Sequence, residues 1–201
     1  MVVLPLARRA PRPHIRTPAG AAIAAVLLIA VGAGLWLQRG PPERVFSTAR
    51  GETRTLRLAD GSTVELNSDS RLLARVSRTS RNLVLAQGEA LFDVAKDRSH
   101  PFRVTAGDQR ITVVGTQFDV LRYRGEVSVT VSRGVVQVAD VHAGPQAGIR
   151  LTVGDQLRRS DGSSQSVLSR ARLDDVLAWR KGYLVYRDRP GVDGGVQTAM
   201  S

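Results

Sequence analysis

The segment from Ala19 to Leu37, AGAAIAAVLLIAVGAGLWL, runs for 19 residues without a charged side chain. As a helix rising about 1.5 Å per residue it is ~28 Å long, close to the hydrocarbon thickness of a bilayer. Alanine and glycine fall on every face of such a helix, so no polar side is left to meet water, as a surface helix in a soluble core would need. Pro18 and Pro41-Pro42 punctuate its ends, Trp36 sits at interfacial depth and Arg39 follows as a headgroup anchor. The rival reading is a cleaved secretory signal, with Ala30, Gly32 and Gly34 as small residues for a peptidase. The apolar stretch exceeds the usual signal core of roughly 7–15 residues, which favours a retained single transmembrane helix. Arg8, Arg9, Arg12 and Arg16 precede it with no acidic residue among them, whereas Arg39, Arg44 and Arg50 follow. The expected topology is N-terminus inside, with the C-terminal domain outside the inner membrane, in the periplasm of a two-membrane bacterium.

Charge needs dissecting before it is read as a nucleic-acid signal. The chain carries 29 basic and 18 acidic residues, a net charge of +11, and arginine supplies 27 of the cations. Arg71, Arg75, Arg78 and Arg81 form the nearest thing to a stripe, but no aromatic residue interleaves them to stack on bases. A solvated arginine-rich face is the expectation, with no nucleic-acid partner. Cysteine is absent and the three histidines, His14, His100 and His142, are scattered. Disulfide scaffolds, thiol nucleophiles and cysteine-ligated metals are thereby excluded.

From Glu43 onward the pattern changes to short alternating runs. Leu56 and Leu58, the Asp60-Gly61 turn, then Val64 and Leu66 read as a hairpin. Further runs follow at 73–76, 83–85, Ala90/Phe92/Val94, Phe102/Val104, Ile111/Val113, Phe118/Val120, Val127/Val129/Val131 and 135–138. Breaks fall at Gly88, 96–101, 106–108, Gly115, Gly125 and Arg133-Gly134. Strand-length runs on a spacing of about ten residues predict a mainly β domain over 45–157, and periodicity alone leaves sandwich, barrel and solenoid open. Residues 158–168 read as a polar linker. Leu173, Val176 and Leu177 then share a helical face, with Arg170 and Asp174 placed as a four-residue pair. Gly182 ends that helix and Tyr183–Tyr186 is a strand candidate, so 169–201 is a small α+β piece. The organisation is a short basic tail at 1–18, the helix at 19–37, a connector at 38–44, the β domain, the linker and this piece.

No nucleophile elbow, phosphate loop, dinucleotide fingerprint, zinc-helix or calcium-loop motif occurs. Glu89 and Asp93 would share one face of a strand, but a carboxylate pair without a pocket is weak ground for acid–base chemistry. The expectation is a protein that is not an enzyme and binds no cofactor or metal.

The order of segments is more specific. STARGETRTLRLADGSTVELNSDSRL from Ser47, then QGEALFDVAKDRSHPFRV, VVGTQFDVLRY and VSVTVSRGVVQV, resemble the FecR family of iron-uptake regulators. The matching residues include Gly51, Asp60-Gly61-Ser62, Leu66-Asn67, Gly88-Glu89-Ala90, Phe92, Pro101-Phe102, Gly115-Thr116, Phe118, Gly134 and Val136. Leu151–Gln156 and the Ala178–Tyr186 stretch AWRKGYLVY extend the likeness to about residue 190. The resemblance implies a membrane-anchored regulator, or anti-sigma factor. Its periplasmic part would contact the signalling domain of a TonB-dependent outer-membrane transporter, and its cytoplasmic part would restrain an extracytoplasmic-function sigma factor. The candidate partner-binding residues are Trp179, Leu184, Tyr186 and Pro190.

The chain departs from that family at both ends. Eighteen proline-interrupted residues precede the span where the family places a longer tryptophan-rich helical domain, and GVDGGVQTAMS follows Pro190 where an amphipathic segment is usual. The expectation is truncation at both ends, with the sigma-binding domain missing. The alternative of a different class is a membrane-tethered periplasmic β module with a structural or envelope-binding role and no transcriptional output. For the span itself, Leu28→Arg should weaken membrane insertion by roughly 2.5–3.5 kcal/mol on translocon scales, read as the fraction of chain resisting carbonate extraction from inner membranes.

Overall fold

Strand formation follows the period-two pattern closely. In Glu126–Arg133, Val127, Val129 and Val131 are fully buried on one face, and Phe102, Val104 and Ala106 do the same in Phe102–Ala106. The computed structural model describes residues 25, 28–32, 42–77, 79–143 and 148–181. It divides into two units, Met1–Gly40 and Pro41–Ser201. In the first, residues 25 and 28–32 are helical, and Leu28, Ile29 and Val31 are exposed. Most of Ala19–Leu37 lies outside the described residues, among which no helix is long and apolar enough to cross a membrane.

The second unit is mainly β. In chain order its strands are β1 (Arg44–Ser47), β2 (Arg54–Arg57), β3 (Thr63–Leu66), β4 (Arg71–Val76), β5 (Arg81–Asp93), β6 (Phe102–Ala106) and β7 (Gln109–Val113). They continue with β8 (Gln117–Tyr123), β9 (Glu126–Arg133), β10 (Val136–Asp140), β11 (Gly148–Leu151), β12 (Asp155–Ser160) and β13 (Val167–Arg170). A four-residue helix α1 (Leu173–Val176) and a 3-10 turn (Ala178–Lys181) follow.

All thirteen strands belong to one curled sheet with two leaves. The first leaf runs β1-β4-β5-β6-β7-β10-β11 and the second β2-β3-β5-β8-β9-β12-β13. The strand β5 belongs to both. Its first half pairs with β4 and, in parallel, with β6; its second half pairs with β3 and β8. Side chains of the two leaves meet in a single apolar core. Phe92 of the second leaf stacks on Phe118, with centroids 5.0 Å apart, and meets Phe102 of the first leaf edge-on at 6.2 Å. The path ends at β11 and β13 without pairing them to each other, so the sheet is sandwich-like rather than a closed barrel.

Two devices make this bend possible. Gly88 sits where β5 changes leaf, with φ +86, and a Cβ there would lie 2.5 Å from Ser70 Cα. Only glycine fits both the left-handed backbone and that approach. Buried Ser70 supports the corner: its Oγ accepts from Glu89 N at 3.0 Å and donates to Glu89 O at 3.1 Å. The second device is Arg81, 2% exposed at the start of β5. Its guanidinium donates to the carbonyls of His100 (2.7 Å), Ala95 (2.9 Å) and Asp97 (3.1 Å), and Nη1 lies 3.3 Å from Asp60 Oδ2. It also packs 5.6 Å from the Phe102 ring centroid.

Four expectations are corrected. The run at 83–85 and Ala90/Phe92 of the next lie in one 13-residue strand that ends just before Val94, because Gly88 bends it instead of breaking it. Arg81 is not part of a solvated stripe; it points into the end of the core, since 81, 83 and 85 share the inward face. The stretch 158–168 contains the end of β12 and the start of β13, which pair as a hairpin. Arg170 is therefore in a strand and pairs with Asp155 at 3.2 Å instead of with Asp174 on a helix. The strand candidate Tyr183–Tyr186 lies outside the described residues.

Phe92→Ala and Phe118→Ala should each cost about 3–5 kcal/mol. Arg81→Met should cost about 3–5 kcal/mol as well, because it strands Asp60 and three carbonyls without donors. Guanidinium unfolding of the full chain, followed by far-ultraviolet circular dichroism, measures all three.

Candidate functional site

The outward face of the second leaf should be solvated, by the alternation of its strands, yet part of it is buried. One transverse row reads Glu65, Leu91, Asp119, Thr130, Gln156 and Ser169 across β3, β5, β8, β9, β12 and β13. Within it Leu91 and Asp119 are each 2% exposed and Thr130 1%. The cover is the chain after β13. Arg180 grips Glu65 with two hydrogen bonds of 2.7 Å, from Nε and Nη2, joining residues 115 positions apart. Ala178 is buried, and Trp179 and Val176 line a cleft of about 620 Å³ together with Asn67, Glu89, Asp119 and Gln156.

Beneath that cover lie two carboxyl groups. Asp119 is sealed, and Glu89, on the neighbouring strand, is half-buried with one oxygen accepting from Asn67 Nδ2. Burial foremost, and then the charge and hydrogen bond of Glu89, push the Asp119 carboxyl well above the usual carboxylate range. Burial also raises Glu89, against the opposing hydrogen bonds from Asn67 and Asp119. The indole N–H of Trp179 lies toward Asp119 without reaching bonding geometry, and Asp119 Oδ1 and Trp179 Nε1 are both buried without a formed hydrogen bond. The adjoining hydroxyl and amide are occupied by one another, Gln156 Nε2 donating to Thr130 Oγ1 at 3.0 Å.

Of the four candidate partner-binding residues, Trp179 is placed at this cleft, while Leu184, Tyr186 and Pro190 lie outside the described residues. Glu89 and Asp93 do share a face of β5, but they serve different partners: Asp93 pairs with Arg133 at 2.6 Å and Glu89 meets Asp119. Sequence reasoning passed over Asp119, Glu65 and Arg180. Asp119 stands between Phe118 and Val120 as any solvent-facing strand residue would, and only the later docking of residue 179 distinguishes it. The two histidines among the described residues stay local, His100 Nδ1 lying 2.9 Å from Asp97 Oδ2 in its own turn and His142 N donating to Asp140 Oδ1 at 2.8 Å.

Residues 44–137 match the family model described as FecR protein. Two crystal structures of a candidate anti-sigma factor from Parabacteroides distasonis share the fold. One is 26% identical with a TM-score of 0.66, covering 74% of this chain and 70% of that one. The other is 26% identical with a TM-score of 0.64, covering 72% and 68% respectively. A search of curated proteins gives no match. The resemblance drawn from the ordered motifs thus holds for the β domain.

Arg180→Ala and Glu65→Gln should each lower stability by only about 1 kcal/mol or less, since the pair is partly solvated. Both should accelerate amide exchange in α1 and the following turn while leaving β5, β8 and β9 protected. Equal acceleration across all three strands would show that the clamp belongs to the core.

Proposed function

We propose that this chain, whose β domain is of the FecR type over residues 44–137, regulates an extracytoplasmic-function sigma factor from the inner membrane. The observation that carries the reading is the family match, together with a fold shared with the Parabacteroides distasonis protein over more than two-thirds of either chain. In this reading Ala19–Leu37 is the single membrane pass; its uncharged length and the exposed Leu28, Ile29 and Val31 support that placement. The β domain then stands in the periplasm and acts by binding, not by catalysis.

One feature of the architecture supports a path for the signal. The segment beyond β13 is held against the second leaf by Arg180 and Glu65, so the chain leaving at Lys181 starts from a defined place. Trp179, with Leu184, Tyr186 and Pro190 after it, would meet the signalling domain of a TonB-dependent transporter loaded with a ferric chelate. Occupancy there would be felt through the β domain at β1, which begins four residues after Gly40, and so at the membrane helix. The free energy available is the differential affinity of the partner for two arrangements of the domain, so a few kcal/mol of coupling suffices to change sigma-factor output severalfold.

The test is genetic. Deleting the gene should change expression from promoters of the sigma factor encoded nearest to it, with the change appearing on exposure to the ferric chelate. The intact gene should restore the response and a Leu28→Arg allele should not. An unchanged reporter for each extracytoplasmic-function sigma factor of the source organism would sink the regulatory reading and favour an envelope-binding role.

A further inference from the structure

We propose that the turn carrying Trp179 and Arg180 is a proton-operated latch: it lies closed on the second leaf while Asp119 and Glu89 share a proton, and lifts when both carboxyls ionise. This goes beyond the sigma-factor reading and does not rest on it.

The groups around Asp119 leave little else to compensate a second negative charge. From β5 it faces Glu89, from the residue after β3 the amide of Asn67, from β9 the hydroxyls of Ser128 and Thr130, from β12 the amide of Gln156, and from the turn the Trp179 indole. Asn67 is committed to Glu89, and Gln156 to Thr130. The charged groups at the rim are Glu126, Arg158, Arg170, Arg172 and Asp175. Arg158 and Arg172 are exposed, and Arg170 is bound to Asp155 and to the Val153 carbonyl. No arginine among the described residues forms an ion pair with Asp119 or Glu89. Asp119 Oδ1 is closed off even from the adjoining cleft. A full negative charge on each carboxyl would therefore sit in a dry site beside its like.

The turn, with α1 before it, covers that site. Asp119 lies on the outward face of β8, where removal of residues 178–180 would return it to water, as Asp93 is on the same face of β5. The turn itself is weakly built: α1 and the 3-10 segment have four residues each, too short to persist without docking. Its hold is Trp179 over the acid pair, Ala178 against the sheet and Arg180 on Glu65.

The sign follows from proton counts. Closing raises the affinity of Asp119 and Glu89 for protons, so the closed state binds a proton that the open state releases. Closure is fully stabilised below the ordinary carboxylate range of the open state, and is progressively lost as pH rises through the raised values of the closed state. Opening uncovers the row around Leu91 and Thr130. A drop in pH would keep that row covered.

The full chain in detergent micelles tests this, with Trp36→Phe so that Trp179 is the only indole. As pH rises above the ordinary carboxylate range, Trp179 emission should shift to the red and acrylamide quenching should rise severalfold, with an unchanged far-ultraviolet spectrum. Asp119→Asn should abolish the transition and leave Trp179 shielded throughout. Glu89→Gln should alter its midpoint, and Glu65→Gln should raise quenching already at the acid end. The proposal is overturned if Trp179 shielding is constant with pH, or if Asp119→Asn keeps the parental transition. Should Asp119→Asn lose its strand spectrum, Glu89→Gln decides alone, and an unmoved midpoint would be fatal.

Discussion

The Arg81 guanidinium is the point from which the β domain is organised. It stands at the first residue of β5 and donates to three carbonyls of the loop that follows the last residue of that same strand, with Asp60 as its acidic neighbour. The chain must pass along β5 from one leaf to the other and then return to lay β6 beside the start of β5. Arg81 closes that circuit. Parallel pairing of neighbouring strands needs a crossover, and here the crossover is the second half of β5 together with the loop at 94–101. Burying a cation is costly unless nearly every donor is used, and the bonds to His100, Ala95, Asp97 and Asp60 meet that condition. The same contact fixes Phe102, whose ring lies beneath the guanidinium and edge-on to Phe92, so loop, crossover and core share one anchor.

The acid pair depends on that arrangement at one remove. Glu89 follows the Gly88 corner directly, and Asp119 stands on the strand that pairs with the second half of β5. Their approach is a product of β5 having changed leaf. Asp119 is then covered by a segment more than fifty residues later in the chain, through a guanidinium-carboxylate fork that reaches back to β3. The β domain holds the segment after β13 on the same leaf that carries β8 and β9, so that segment and β3 are in contact through side chains and not only through the backbone.

Much of the β architecture was legible in the sequence. The alternation in Val127, Val129 and Val131, the Asp60-Gly61 hairpin and the turns at Gly115, Gly125 and Gly134 all mark features that exist, because sterics at positive φ and a period of two are local properties. Tertiary features escaped. Gly88 looks the same in sequence whether it ends a strand or bends it, and the difference is made by Ser70, eighteen residues earlier. Arg81 falls in a run of spaced arginines, and nothing local tells a solvated one from one whose donors are met by a distant loop. Arg170 and Asp174 have helical spacing, but β12 offers a ladder partner that outweighs a weak helix pair. The site was less legible than the fold: Trp179 was singled out, whereas Asp119, Glu65 and Arg180 acquire meaning only once separate strands and the final turn are brought together.

One consequence of the shared strand concerns how the chain can be made. Neither leaf has a complete hydrogen-bond ladder without β5, and β5 cannot satisfy both of its edges until β3, β4, β6 and β8 are all present. During vectorial synthesis or export the first five strands must therefore wait, with an unpaired edge exposed, until at least residue 123 has emerged. Folding should be late, slow and all-or-none, as expected of a topology made of non-local pairings. Until then the nascent chain is a substrate for holding chaperones, and its vulnerability to proteolysis is set by the interval between the arrival of β5 and the arrival of β8.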